Sequence, residues 1–375
     1  MMNGNIRVGS LFGIPFYVNP SWFLVLGLVT WSYGDGLAAQ FPELPGSSPL
    51  ILGLLTALLL FGSVLAHELG HSFVAIRQGI KVQSITLFIF GGLASLEKES
   101  DAPGDAFWVA IAGPAVSLLL FGILTTLGLT AQITGPLAAI MAVLASVNLS
   151  LGLFNLIPGL PLDGGNILKA IVWKVTGNSY QGVKVASIVG QAFGWLAIAS
   201  GLVPLILFGS FDNVWNLLIG SFLLQNAGKS AQFARVQERL TGLTVADAIT
   251  PNSPIISENI TLREFVNQRT LTLSNWQKFL VTNERGELVG ELGLDALKTV
   301  RCDFWSSTLV STLMTEIEPT TIIAADRSLL QAIEQLESKK VVTLSVTNQE
   351  GILLGLLEKA AVINLLQRQP EPNPA

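Results

Sequence analysis

A chain of 375 residues that is 50% hydrophobic and only 13% charged is too poor in charge for a typical soluble enzyme, in which about a quarter of the residues carry charge. Its net charge of −5 is mild and scattered, which excludes a basic nucleic-acid surface, so no nucleic-acid partner is expected. The single cysteine, Cys302, cannot close an intrachain disulfide and gives no sign of an oxidising compartment.

Taken from the start, MMNGNIRVGSLFGIPF lacks a short apolar core followed by a small-residue cleavage site, so no removable signal peptide is expected. A helix needs about 20 apolar residues to cross a hydrocarbon core. Six stretches qualify as candidates: 18–36, 49–75, 105–130, 135–157, 183–209 and 211–227. The first opens on Asn19, Pro20 and Ser21, and the last holds Asn213 and Asn216, which makes these two the weakest. If the six alternate in direction, every Lys and Arg of the connections (Arg7, Arg77, Lys81, Lys98, Lys169, Lys174, Lys184, Lys229, Arg235 and Arg239) falls on one side, and the opposite connections near 37–48, 131–134 and 210 have none. By the positive-inside rule both termini of this multi-pass chain are then cytoplasmic, and a prokaryotic plasma membrane is the expected location.

The second span ends in HELGH at 67–71. Residues i and i+4 share a helix face, so His67 and His71 can offer imidazole nitrogens to one metal ion with Glu68 beside them. Two such ligands leave a zinc coordination position open, and the carboxylate can take a proton from an activated water. Short HExxH patterns also arise by chance on soluble helices. Here, however, the chain's only two histidines share an apolar span with a glutamate, where unpartnered ionisable groups cost about 2–3 kcal/mol or more each. His67 lies about 15 Å along the helix from Arg77, so the site is submerged.

A third ligand is needed, and no third histidine exists. The candidate is Asp163 in NLIPGLPLDGGN (155–166), just past the fourth span, where the prolines break the helix and let the chain turn back toward the membrane. Asp before Gly-Gly also serves as a turn or N-cap residue. Asn155 is a candidate donor to a developing oxyanion, although Asn at a helix end is also a common cap. A metal transporter would show several such residues along a pathway, which is not the pattern here. The surviving alternative to a protease is a catalytically inactive zinc-binding membrane scaffold.

HELGH in one apolar span followed by NxxPxxPLDGG resembles the site-2 protease family of intramembrane metalloproteases, and the resemblance covers nearly the whole chain. It implies one zinc ion held by His67, His71 and Asp163, Glu68 as general base and acid, and Asn155 assisting at the scissile carbonyl. It also implies regulated intramembrane proteolysis, in which the partner is a membrane-anchored regulatory protein cut in an unwound transmembrane helix within the lipid bilayer. FIFGGLASLE (88–97) resembles the family's membrane-associated hairpin, and the 85–97 segment is expected to offer a strand edge to the substrate, with Gly91 and Gly92 allowing close approach. VAIAGPAVS (109–117) resembles the family's AGP stretch, except that Ser117 stands where members commonly carry Asn. That departure leaves the role of a side-chain amide there in doubt.

Residues 1–240 hold 20 of the 47 charged side chains, so the remaining 135 residues hold the other 27. From about residue 241 the sequence repeats at an offset of 65: WQKFLVTNERGELVGELGLDAL (276–297) aligns with VVTLSVTNQEGILLGLLEKAAV (341–362), and TVADAIT (244–250) with LVSTLMT (309–315). Each unit reads as helix, strand, glycine turn, strand, helix, which resembles a tandem of cystathionine β-synthase (CBS) domains. The expected fold is thus an α-helical polytopic membrane protein with a C-terminal α/β tandem. Its expected bounds are 1–228 for the membrane protease part, 229–242 for a linker, 243–303 and 304–367 for the two repeats, and 368–375 for a disordered tail. The tandem is a candidate for either of two roles, a homodimer contact or a substrate-docking module. Adenine-nucleotide-binding members carry Gly, then Thr or Ser three residues on, then Asp six residues on. Here Gly290 is followed by Gly293 and Ala296, and Gly355 by Glu358 and Ala361, with Asp295 displaced by one. Weak binding or none is expected.

Overall fold

Long apolar helices make up most of the first of two units into which the chain divides, Met1–Arg235 and Val236–Ala375. The structure is a computed structural model that describes residues 4–89, 91–250, 253–272 and 276–368.

The first unit begins with a hairpin, β1 (Ile6–Leu11) and β2 (Ile14–Val18), turned through Phe12 and Gly13. Both turn residues have positive φ, the geometry that matches strand twist in a two-residue turn. Helix α1 (Pro20–Gln40) follows, capped by Asn19, whose side chain accepts from the Ser21 amide. Helix α2 (Ser48–Arg77) carries HELGH near its end. Strands β3 (Val82–Phe88) and β4 (Gly91–Leu96) then complete a sheet of order β1-β2-β3-β4, in which β2 and β3 are parallel and the outer pairs antiparallel. Ile14, Ile80, Val82 and Ile85 bury one face of this sheet against Ala75 of α2. Among the described residues no other strand pairs with its β4 edge.

Helices α3 (Pro103–Thr130), α4 (Gly135–Asn155), α5 (Asp163–Thr176), α6 (Ser179–Phe208) and α7 (Val214–Leu240) follow in order. Among the described residues, α2, α3, α4 and α6 are long and apolar enough to cross a membrane. The chain is therefore a multi-pass membrane protein. The helices at the other two expected spans, α1 and α7, do not meet the same measure, in line with the polar residues that weaken both. The spans touch through small residues. A Cβ at Gly53 of α2 would lie 2.7 Å from the Gly34 amide nitrogen of α1, and one at Gly70 would lie 2.9 Å from the Ala112 carbonyl of α3.

The second unit holds two three-stranded sheets. The first comprises β5 (Ile255–Ser257), β6 (Lys278–Thr282) and β7 (Leu288–Gly293), with helices α8 (Leu262–Thr272) and α9 (Leu294–Leu297). The second comprises β8 (Ile322–Ala324), β9 (Thr343–Thr347) and β10 (Leu353–Glu358), with α10 (Leu329–Lys339) and α11 (Lys359–Arg368). This is the expected α/β tandem with one short additional strand per repeat. The two glycine turns are physically the same device: Asn283 Oδ1 accepts from the Glu287 amide at 3.0 Å, and Asn348 Oδ1 from the Ile352 amide at 2.8 Å.

The packing does not follow the repeat boundary at 303/304. Val245 and Ala248 are buried in the core of the second sheet with Leu329, Leu344 and Leu357, whereas Val310 is buried in that of the first with Phe265, Phe279 and Leu292. Backbone bonds fix the exchange: Val245 N–H donates to Arg327 O at 2.9 Å, and Val310 N–H to Ile260 O at 2.9 Å. Residues 229–240 of the expected linker are helical, as the last part of α7. Of the expected tail, Arg368 ends α11 and 369–375 lie outside the described residues.

Candidate metal centre

Helical spacing puts His67 and His71 on one face of α2, one turn apart, and both are buried. The remaining member arrives by a different route. After α4 ends at Asn155, the segment 156–162 turns back and α5 starts on Asp163. Two glycines permit that return: a Cβ at Gly164 would meet the Leu156 carbonyl carbon at 2.5 Å, and one at Gly165 would meet the Gly159 oxygen at 2.7 Å. The Asp163 carboxylate thus sits in the first turn of α5, where the helix dipole favours negative charge.

Three potential ligand atoms converge there. His67 Nε2 is 3.1 Å from Asp163 Oδ2, His71 Nε2 is 3.3 Å from the same oxygen, and the two Nε2 atoms are 3.3 Å apart. Among the described residues this is the one group that brings three such donors together. Bonds of about 2.0–2.1 Å to a tetrahedral zinc ion put neighbouring ligand atoms about 3.3–3.4 Å apart, so the spacing fits that ion.

The far side of each imidazole is tied to α3. His71 Nδ1 lies 2.7 Å from the Val109 carbonyl oxygen, which can only accept, so in the neutral ring Nδ1 carries the proton and Nε2 presents its lone pair. His67 Nδ1 lies 2.9 Å from Ser117 Oγ, and Ser117 is fully buried. The family resemblance left position 117 without a role. The structure makes it the partner of a proposed ligand. Gly113, between these two contacts on α3, is the other residue whose part the sequence did not disclose. A Cβ there would stand 2.7 Å from His67 Nε2 and closer still to His71 Nε2.

Glu68 faces β4. Its Oε2 accepts from the Ala94 amide at 3.2 Å, and a Cβ at Gly92 would lie 2.9 Å from its Oε1. Gly92 therefore makes room for Glu68. Gly91 has φ +133° with open space where a Cβ would be. A cavity of about 650 Å³ joins these parts: His67, Glu68, His71 and Asp163 line it together with Gly91, Gly92 and Asn155. The seven candidate site residues, His67, Glu68, His71, Gly91, Gly92, Asn155 and Asp163, thus border one space.

The model of peptidase family M50 matches residues 55–138 and 130–197. A protein of Synechocystis sp., sll0528, named as a zinc metalloprotease, is 54% identical over 366 residues, covering 98% of this chain and 96% of its own length. The chain belongs to peptidase family M50. Rip3 of Mycobacterium tuberculosis, also named as a zinc metalloprotease, is 32% identical across 99% of the M50 chain described here and 96% of its own. The solved site-2 protease of Methanocaldococcus jannaschii is 29% identical, with a TM-score of 0.44 over 60% of this chain and 95% of that one. Membership of the M50 family makes the chain a metalloendopeptidase.

If Ser117 orients His67, Ser117→Ala lowers metal affinity about 10–100-fold, the range usual for loss of such a partner, while Ser117→Thr, which keeps the hydroxyl, retains most of it. Competition of the purified protein with a chromogenic chelator measures both, and equal affinity in all three proteins contradicts the assignment.

Proposed function

We propose that the chain is a zinc-dependent intramembrane endopeptidase that cuts membrane-anchored regulatory proteins within their transmembrane segments. The observation that carries this reading is the convergence of two imidazole nitrogens and one carboxylate oxygen beside Glu68, in a cavity among apolar spans. The zinc metalloprotease names of sll0528 and Rip3 support zinc as the ion.

His67, His71 and Asp163 would hold one Zn²⁺ and leave a position open to the cavity. Bound there, the ion supplies Lewis acidity toward a water molecule and the scissile carbonyl. Glu68 accepts the proton of the attacking water as its oxygen bonds to the carbonyl carbon, and passes that proton to the amine nitrogen as the C–N bond breaks. Asn155, at the end of α4 on the same cavity, donates an amide hydrogen to the developing oxyanion.

A transmembrane helix hides its carbonyls in internal hydrogen bonds, so the substrate has to unwind before it is cut. The unwound segment then adds to the open β4 edge, and Gly91 and Gly92 keep the start of that edge free of side chains. The edge is aimed at the catalytic end of the cavity, because the Ala94 amide already reaches Glu68. The expected biological role is regulated proteolysis that releases a signalling fragment. Both termini and the C-terminal unit lie in the cytoplasm, on the Lys and Arg distribution.

The C-terminal tandem acts in pairing between two copies or in docking rather than as an adenine-nucleotide sensor. Glu358 puts a carboxylate where a phosphate-facing hydroxyl is expected, and its Oε2 is 3.5 Å from Thr250 Oγ1. The space beside Gly355 is already taken, since a Cβ there would stand 2.8 Å from Ser253 Oγ. Asp295, the displaced acid of the other repeat, pairs with Lys298 at 2.6 Å on an exposed surface.

Three measurements check these readings. Glu68→Gln keeps stoichiometric zinc by elemental analysis and loses cleavage of a single-span reporter by a factor of about 10² or more, whereas Asp163→Ala and His71→Ala lose zinc as well. Zinc lost from Glu68→Gln but retained in Asp163→Ala refutes the assignment. In a Cys302→Ser background, a single cysteine replacing Ser47 or Thr134 reacts with an impermeant maleimide added to intact cells and one replacing Ser230 does not; labelling at 230 reverses the orientation. Calorimetric titration of residues 241–375 with ATP and AMP gives no micromolar binding.

A further inference from the structure

One wall of the cavity starts at the proposed metal ligands and runs away from them, and beyond Asp163 it has no assigned part in the chemistry. It is the face of α5 that runs from Asp163 through Asn166 and Lys169 to Trp173, all of which line the cavity. Lys169 is six residues from Asp163, which sets their Cα atoms about 9 Å apart along the helix. An extended chain covers that distance in two to three residues.

Lys169 pairs with Glu99 of the β4–α3 connection, Nζ to Oε2 at 2.5 Å, and the two partners differ sharply in setting. The side chain of Lys169 is 12% exposed and that of Glu99 is 79% exposed. The backbone of Lys169 cannot retreat, because α6 closes on it at Gly182, where a Cβ would stand 3.2 Å from Lys169 Cα. Glu99 can be released into water at little cost, as exposed ion pairs contribute little. A buried ammonium without a counter-charge is costly by comparison. Lys169 is therefore the fixed member of the pair and Glu99 the replaceable one.

We propose that Lys169 determines specificity in the peptidase reaction proposed above, its ammonium binding an acidic side chain of the substrate two to three residues from the scissile bond in place of Glu99. The carboxylate newly formed by the cut is not the ligand, since it arises at the far end of this wall, at the metal centre. Trp173, one turn further along α5, gives the same stretch of substrate an apolar surface on which to lie.

The test uses full-length protein in proteoliposomes and single-span reporters whose cut has been mapped by mass spectrometry. Glu, Gln or Lys is placed in turn at the second and third residues on either side of the cut. For the unmodified enzyme kcat/KM favours Glu over Lys by about tenfold or more at one of these positions, through attraction to one charge and repulsion of the other. Lys169→Glu inverts the ratio, Lys169→Gln abolishes it, and both keep one zinc per chain. The exchange Lys169→Glu with Glu99→Lys stays inverted. An unchanged ratio in Lys169→Glu and Lys169→Gln, or restoration of the original ratio by the double exchange, overturns the inference and leaves Lys169 as a strap. Absence of any cleavage that depends on Glu68 overturns the proteolytic reading, and this inference with it.

Discussion

Imidazoles and carboxylates inside apolar spans are tolerated only where each has a partner, and this requirement organises the protease unit. His67 and His71 belong to α2, yet the atoms that settle their orientation, Ser117 Oγ and the Val109 carbonyl, belong to α3. With the outer nitrogens occupied, the inner ones have one direction left, toward Asp163. The crossing of α2 and α3 is thus both a packing contact and the frame of the metal centre, so a shift of either helix moves the ligands.

Smallness at a few positions makes the frame possible. Gly113 yields space to two imidazoles, Gly92 to Glu68, and Gly164 and Gly165 to the returning chain that delivers Asp163. Each of these is a volume that a methyl group would fill. Between helices in a membrane, where water supplies no squeezing force, such close approach is also a main source of attraction. Gly113 does both at once, since the space it yields to the imidazoles is also where α3 approaches α2.

The HELGH pair was legible because it combines helical spacing with scarcity: the chain has two histidines, both in one span. Asp163 followed by elimination, since few acids stand in apolar surroundings on that side. Ser117 carried no comparable signal, being one of many serines, and Val109 acts through a carbonyl that every residue possesses. Strands β1 and β2 and helix α5 leave no such mark, as hydropathy windows find long apolar runs and pass over short strands and a 14-residue amphipathic helix. In the C-terminal half the repeat offset exposed both units and their turns. Which arm packs on which sheet is a long-range matter, fixed by burial of Val245 and Val310, and an alignment of repeats contains nothing about it.

That crossing of arms bears on how such a tandem can arise and change. A single 65-residue copy would lack the segment that fills its own core, and the segment it carries would have no core to fill. The pair is accordingly the smallest piece that closes on itself. Gene fusions, deletions or domain grafts that break the chain near 303/304 leave two incomplete halves, whereas a graft that moves both repeats together carries a finished module. Substitutions at Val245 are answerable to residues about 80 to 110 positions downstream, so the two copies are bound to drift in concert rather than each on its own.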